Sequence, residues 1–420
     1  MPPTSRIEVD LNAIGANVRA LREVLTRAAR GATIAPGGKQ PATPGICAVL
    51  KADAYALGAP RVAKRLGIAG VDMIAVYTPE QARALVEAAV MTPILLLMPV
   101  HDLDRSDALY RAAVRGTLHF AVHDEPTLSA LATVSDRQGI VLPVHLELDT
   151  GMSRGGAHPD EAMRLLSRIR SLPRMKITGV FNHLASADGD ENFTREQSEA
   201  FNRWLEQARP MLPPDVVIHE ANTFATFRST SCHRSMVRVG LALLGFAGEE
   251  FADPDHFEWS AEAATLTPAV RWVSTIVHSK WIEPGTPVGY GATWRAKRRS
   301  RIGLIPIGYA DGYPLALSNQ ARVGIETCGA PKAYVPVVGR VSMDQITVDL
   351  TDLPESQAGI GAVAEIYGNN RSALNHLPTL AKQAGTITHE MLCRMSPRLP
   401  RQYLSVEQPV RTAITGTVAV

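Results

Sequence analysis

The 420-residue chain is short of several things that would place it quickly. Its four cysteines, Cys47, Cys232, Cys328 and Cys393, form no CxxC pair and no metal-type spacing, which excludes a disulfide scaffold and a zinc ribbon. A reducing compartment suits them. No stretch approaches the ~20 apolar residues that span a bilayer, and Met1 to Asp10 lacks the apolar core of a signal peptide. The expected location is the cytoplasm, with no membrane partner. Charge of one sign is also lacking. Against 43 Lys and Arg stand 41 Asp and Glu, a net +2, so no global field favours a polyanion. The one basic run, Arg295, Lys297, Arg298, Arg299 and Arg301, reads as a solvated loop face, and nucleic acid is not an expected partner. No internal repeat or low-complexity tract interrupts the chain.

What is present is ordinary globular material, 45% hydrophobic and 20% charged, in a chain long enough for two domains, since a βα barrel alone takes up about 250 residues. From about residue 45 to 245, short runs rich in Val, Ile and Leu alternate with helical periods, the pattern of parallel βα units. The candidate strands are Ile46–Leu50, Met73–Val76, Ile94–Met98, Leu118–Val122, Val141–Leu148, Ile177–His183, Val216–Ala221 and Val237–Leu241. Eight is the barrel number. Pro79–Val90 and Pro159–Ile169 carry apolar residues three or four apart, as helices packed on a sheet do. Ahead of them, Asp10 is placed to cap a helix over Leu11–Leu25 with a stripe of Leu11, Ile14, Val18, Leu21 and Leu25, and Gly31–Pro44 reads as a loop. After about residue 262 the texture changes to β-type runs, Val270–Val277, Arg301–Ile307, Tyr334–Val338 and Gln345–Leu350, broken by Gly and Pro. The expectation is a (β/α)8 TIM-type barrel over residues 1–261 and a C-terminal all-β domain over 262–420.

In such a barrel the chemistry sits at the C-terminal strand ends. Those positions are filled by Lys51 after the first strand, Glu147 and Asp149 with Arg154 after the fifth, His183 after the sixth, Asn222 and Thr223 after the seventh, and Arg238 and Gly240 in the eighth. A lysine at the end of a buried strand must lose its charge or find a partner. A covalent bond to an aldehyde cofactor does the first and a salt bridge the second, and strand context alone does not separate them. Thr223 and Gly240 suit a phosphate handle, although on residue type alone Asn222 and Thr223 read first as a helix cap.

The segment VLKADAYALG (Val49–Gly58) resembles the cofactor-lysine signature of the alanine racemase family. The resemblance continues in family order through HLELDTGMSRGG (His145–Gly156), FNHLASAD (Phe181–Asp188), VRVGLALLG (Val237–Gly245), VGYGATW (Val288–Trp294), IGYADGYP (Ile307–Pro314), VGRVSMDQ (Val338–Gln345) and RLPRQY (Arg398–Tyr403). It implies a pyridoxal 5'-phosphate enzyme that racemises a small amino acid, with D-alanine for peptidoglycan precursors as the product, and a head-to-tail homodimer with active sites at the interface. It implies that Lys51 holds the cofactor and is the base on one face of the substrate α-carbon. Tyr290 of the partner subunit would serve the other face, with His183 beside it. Arg238 would face the pyridine nitrogen, where a guanidinium that keeps its proton suppresses transamination. Without the resemblance, an ion pair bracing the eighth strand is the reading for Arg238. Tyr55, Asn222, Thr223, Gly240 and Leu241 match cofactor-binding positions, as does His389. Arg154 matches a contact to cofactor and substrate, and Tyr309, Met343 and Asp344 match substrate-site positions lent across the interface. On residue type alone, Met343 would be core and Asp344 a turn residue.

Several residues depart from the family pattern. Glu147 replaces a lysine that many members carbamylate, and is expected to orient Arg154. His389 replaces a tyrosine of the inner substrate gate, and Leu315 an arginine of the entryway. Ala56 and Leu57 replace a glycine and a histidine of the signature. The first three changes raise the expectation that serine is accepted beside or instead of alanine. Two rivals share the fold: an amino-acid decarboxylase, which would use an interface cysteine, and a non-catalytic cofactor carrier, which would need no second domain.

Overall fold

The computed structural model describes residues 4–31, 42–248, 263–327 and 331–405. The expected loop at Gly31–Pro44 and the boundary at 261/262 fall largely outside these residues, and Cys328 wholly so.

Strand β1 (Arg6–Asp10) leads into α1 (Leu11–Gly31). Asp10 Oδ1 accepts from the amides of Asn12 and Ala13 at 2.8 and 2.9 Å, the expected cap. Ile14, Val18, Leu21 and Leu25 are buried as the stripe predicts, while Leu11 is only partly covered. Eight parallel strands then close into a barrel, β2 (Gly45–Val49), β3 (Met73–Val76), β4 (Ile94–Leu96), β5 (Leu118–Val122), β6 (Leu142–Leu148), β7 (Met175–Asn182), β8 (Val217–His219) and β9 (Met236–Val239). Closure is made by β2 against β9, with Cys47 opposite Arg238. All eight coincide with the apolar runs because a parallel strand covered on both faces is apolar along most of its length. Helices fill the crossovers, among them Pro79–Glu87, which Thr78 and Gln81 start with a capping box, and Pro159–Ser171.

The second domain is built on a six-stranded sheet. Its order is Ala333–Pro336, Arg322–Ile325, Val363–Tyr367, β10 (Val270–Thr275), β1, Arg401–Leu404. A three-stranded sheet of His278–Ile282, Ser300–Ile305 and Ile346–Asp349 lies beside it in the chain. Short helices Glu355–Ala358, Leu377–Gln383 and Thr388–Cys393 accompany the strands. Strand β1 belongs to the larger sheet, antiparallel to β10 and parallel to Arg401–Leu404, so both ends of the described chain are woven into one sheet. Among the described residues no helix is long and apolar enough to cross a membrane.

Candidate active site

The segment after β2 has an unusual backbone. Ala52 to Ala56 all adopt positive φ, between 52 and 63°, a left-handed turn of residues that each carry a Cβ. Such a conformation costs roughly 1–2 kcal/mol per residue, so it persists only where its surroundings hold it. The C-terminal strand does this. Arg401 Nε donates to the Ala56 carbonyl at 2.8 Å and Tyr403 Oη to that of Leu57 at 3.0 Å, while Asp53 Oδ1 accepts from the Ala59 amide at 2.7 Å. Gly58 (φ 87°) lets the Tyr403 hydroxyl pass within 1.9 Å of where a Cβ would stand. The resembling blocks at either end of the chain are thus one structural unit.

Lys51 enters this turn at the barrel mouth, solvent-accessible but with much of its surroundings filled by protein. That partial burial, and after it the charge of Arg154, lowers its pKa from the usual lysine value. Tyr55 is buried, which raises its phenol, and its hydroxyl lies 2.0 Å from where a Cβ on Gly240 would stand. The Gly240 amide donates to Thr223 Oγ1 at 3.2 Å, and Asn222 caps the helix Thr223–Arg228 by accepting from Ala225 N at 3.0 Å. The cap reading of Asn222 therefore holds, while the Thr223 hydroxyl faces Gly240. Leu241 is buried at the start of the following turn. His389 closes this corner, tilted against Tyr55 with ring centroids 6.0 Å apart. Burial, and then Lys51, hold its pKa down to about 4. Its buried Nδ1 has no hydrogen-bond partner.

Arg238 lies across the barrel floor. Its Nη1 donates to the His219 carbonyl at 2.9 Å and stands 3.2 Å from His219 Nδ1. Its Nη2 donates to the Asn182 carbonyl at 2.8 Å and stands 3.1 Å from His183 Nδ1. Among the described residues no carboxylate pairs with it, and the ion-pair reading finds no partner there. Arg238 donates to carbonyls and imidazoles and packs over the Phe181 ring at 5.2 Å. A guanidinium has no acceptor, so His183 Nδ1 must accept and its proton sits on Nε2. Burial, then Arg238, Arg154 and Lys51, hold His183 down to about 3.

One expectation is corrected. Glu147 does not hold Arg154. Its Oε2 lies 2.9 Å from His123 Nδ1, and His123 Nε2 faces the Leu97 carbonyl at 2.8 Å. Burial alone would lower the His123 pKa, but the hydrogen bond and charge of Glu147 outweigh it and the net shift is upward. The Glu147 side chain lies against the loop at Gly155 and Gly156, but its carboxylate is turned to His123. Arg154 is exposed and makes no hydrogen bond or ion pair among the described residues.

The remaining candidates lie elsewhere. Tyr290, Met343 and Asp344 line a surface cleft of about 550 Å³ with Gly289, Ser342 and Gln345. Tyr309 adjoins it, its backbone N–H donating to the Ser342 carbonyl at 3.0 Å. Tyr290 is 72% exposed and Met343 55%, so Met343 is not core. Asp344 pairs with Arg398 at 2.7 Å. Leu315 is likewise exposed. No hydrogen bond among the described residues joins this group to Lys51 or His183.

Comparison with known proteins decides the family. The profile of the alanine racemase N-terminal domain matches residues 9–247, and that of its C-terminal domain residues 269–403. The chain belongs to the alanine racemase family. It is an amino-acid racemase, and the decarboxylase and carrier readings fall away. It is 32% identical to the alanine racemase of Halothermothrix orenii over 94% of this chain and 96% of that one, and 34% identical to that of Sorangium cellulosum over 96% and 99%. The alanine racemase of Streptomyces lavendulae superposes with TM-score 0.81 at 28% identity, over 97% and 98% of the two chains. That of Bartonella henselae, solved with covalently bound pyridoxal phosphate, gives 0.75 at 28% identity over 96% and 100%. Sequence reasoning missed the Glu147–His123 pair, the left-handed turn and a set of buried barrel histidines described below. His119, His145 and His219 stand out in the sequence only as polar residues inside apolar strands.

Proposed function

We propose that this chain interconverts L- and D-alanine with Lys51 and Tyr290 of the partner subunit as bases on opposite faces of the α-carbon. The barrel, residues 1–261, would bind the cofactor, and residues 262–420 would lend Tyr290 across a homodimer interface. The residues at the barrel mouth fit pyridoxal 5'-phosphate. Lys51 has a depressed pKa, as an amine that bonds an aldehyde needs. Gly240, Leu241, Thr223 and Tyr55 form a backbone-and-hydroxyl corner with no room for a side chain at Gly240, and His389 Nδ1 is buried with a free hydrogen-bonding position. When bound, the cofactor supplies an electron sink for the pair released as the α-proton leaves.

The chain's own residues do the rest. Lys51 Nζ, easily deprotonated, takes or gives a proton on its face of the α-carbon. A single base would return the proton to the face it left, so inversion needs a second group opposite. The single observation that carries the reading is that the phenol best matched to that task, Tyr290, is 72% exposed on its own subunit and unconnected to Lys51. His183, with its proton on Nε2, offers that proton to the oxygen of Tyr290 of the partner subunit, which stabilises the phenolate. Arg238 donates and cannot accept, so it passes no proton to a group above it. Arg154, exposed and with no partner among the described residues, is free to meet the substrate carboxylate. The exposed Tyr309, Leu315 and Met343 support the homodimer, and the reducing-type cysteines support the cytoplasm.

Complementation tests the proposal. Lys51→Ala and Tyr290→Phe chains are each expected to be inactive. Mixed and allowed to exchange subunits, they should recover about a quarter of wild-type activity, since half the dimers are mixed and each carries one intact site. No recovery in a mixture shown to contain mixed dimers would place the tyrosine in its own subunit's site and refute the arrangement. The same assay run with L-serine measures the expected breadth.

A further inference from the structure

Beneath Arg238, three histidines cross the barrel interior in contact. His219 Nε2 lies 2.9 Å from His145 Nδ1, and His145 Nε2 lies 3.1 Å from His119 Nδ1. His119 is on β5, His145 on β6 and His219 on β8, and the strand between the last two makes way for them. On β7, Gly179 stands where a Cβ would come within 2.2 Å of His145 Nδ1, and the pairing of β6 with β7 slips by one residue at Val144 and His145. Phe181 of β7 stacks on His219, 16° from parallel at 4.7 Å. Both His145 and His219 are fully buried, and His119 is half-buried toward the other end of the barrel.

The hydrogen-bond direction of this chain is determined. Arg238 has only donors, so His219 Nδ1 accepts and, in a neutral ring, the proton is on Nε2. That proton goes to His145 Nδ1, which puts the next on His145 Nε2, and this one goes to His119 Nδ1. Thr178 Oγ1, 3.2 Å from His119 Nδ1, finds that lone pair taken and donates to the Val144 carbonyl at 3.2 Å. The charged groups that bear on the rings are cations, Arg238 on His219 and His145 and Lys176 on His119. Burial and these cations keep all three rings neutral, His119 down to about 4. The carboxylates Glu147 and Glu220 act on Arg238 itself.

We propose that His219, His145 and His119 are positioning residues for racemisation. They form a row of neutral Nε2–H imidazoles that aims the Arg238 guanidinium from below and passes no proton. A proton moving along the row would have to come from Arg238, which does not release one. The consequence for catalysis rests on the racemase reading; the arrangement of protons does not.

Two experiments test it. In the holoenzyme labelled with 15N-histidine, NMR should show the rings of His119, His145 and His219 protonated at Nε2, bare at Nδ1 and unchanged from about pH 5.5 to 9. One of them carrying its proton on Nδ1, or titrating in that range, overturns the proposal whatever the activity. The second compares His119→Asn, whose side-chain oxygen can stand where Nδ1 does and accept from His145, with His119→Phe, which cannot. The Phe variant should lose roughly tenfold in kcat with KM little changed. It should also release more pyruvate per racemisation, the mark of a misaimed Arg238, while the Asn variant recovers both. Equal behaviour of the two variants would mean that the ring merely fills space and would refute the positioning role.

Discussion

The buried imidazoles carry a prediction for stability against pH. His145, His183 and His219 all have their pKa pushed down by burial first and by Arg238 or a neighbouring imidazole after it, His183 to about 3. In the unfolded chain each returns to about 6.5. The folded pKa is depressed, so as pH falls the unfolded chain takes up these protons while the folded one does not. Their stabilisation is complete above the unfolded value and is lost as pH falls toward the folded one. From about pH 6.5 to about pH 5.5 each ring removes about 1 kcal/mol of unfolding free energy, hence about 3 kcal/mol for the three. His119, His376 and His389, held at about 4, add to this, so three rings set a floor. His123, raised by Glu147, works in the opposite sense, by no more than about 0.4 kcal/mol in that window, because its unfolded form is also protonating. Asp and Glu titrate lower still in the unfolded chain, near 4, and contribute little there. The assay is urea unfolding at fixed protein and cofactor concentration across the window. His145→Gln, although less stable overall, should show a slope smaller by about 1 kcal/mol per pH unit. A flat profile, or an unchanged slope in that variant, would mean that the rings are not held neutral.

Two further outcomes follow from the cofactor corner. Tyr403→Phe removes the hydroxyl that holds the Leu57 carbonyl, and should cost about 1 kcal/mol of stability and weaken cofactor retention, read by urea unfolding and by absorbance during dialysis. Unchanged retention would show that the left-handed turn holds without its C-terminal tie. Gly240→Ala puts a methyl 2.0 Å from the Tyr55 hydroxyl, so the ring must move, and the variant should bind pyridoxal phosphate on the order of tenfold more weakly in a titration of the apoenzyme. Wild-type affinity would remove Gly240 from the phosphate corner.

The barrel was readable because its signal is one-dimensional. A strand covered on both faces has no alternation to obscure it, and β3 and β5 match their apolar runs residue for residue. Strand β1 was not readable, since Arg6–Asp10 is five residues long with polar residues at both ends and gains its partners from Val270–Thr275 and Arg401–Leu404, hundreds of residues away. The left-handed turn was hidden for a related reason. Ala, Asp and Tyr do not favour positive φ, so local propensity points away from it, and Arg401 and Tyr403, contributed by the far end of the chain, help to make it tolerable. At the site, Lys51, His183, Arg238, Thr223 and Gly240 could be found by position at strand ends. The direction in which Glu147 turns could not, because its partner His123 follows the neighbouring strand and nothing local in the sequence pairs the two.

Arg238 connects these observations. It is a polar residue within an apolar strand, and its nearest partners are carbonyls and neutral imidazoles rather than carboxylates. A buried cation without a counter-ion is costly, and carbonyl dipoles and imidazole lone pairs reduce that cost only if they point inward. This requirement sets the protons on two sides at once. His183 is forced to keep its proton on Nε2, and His219 is forced to keep its own on Nε2, where it faces His145. A carboxylate in place of either imidazole would neutralise the guanidinium and stabilise the barrel locally. In place of His183 it would also leave no N–H to donate, so on the two-base proposal local stability is given up for a hydrogen-bond donor at the site.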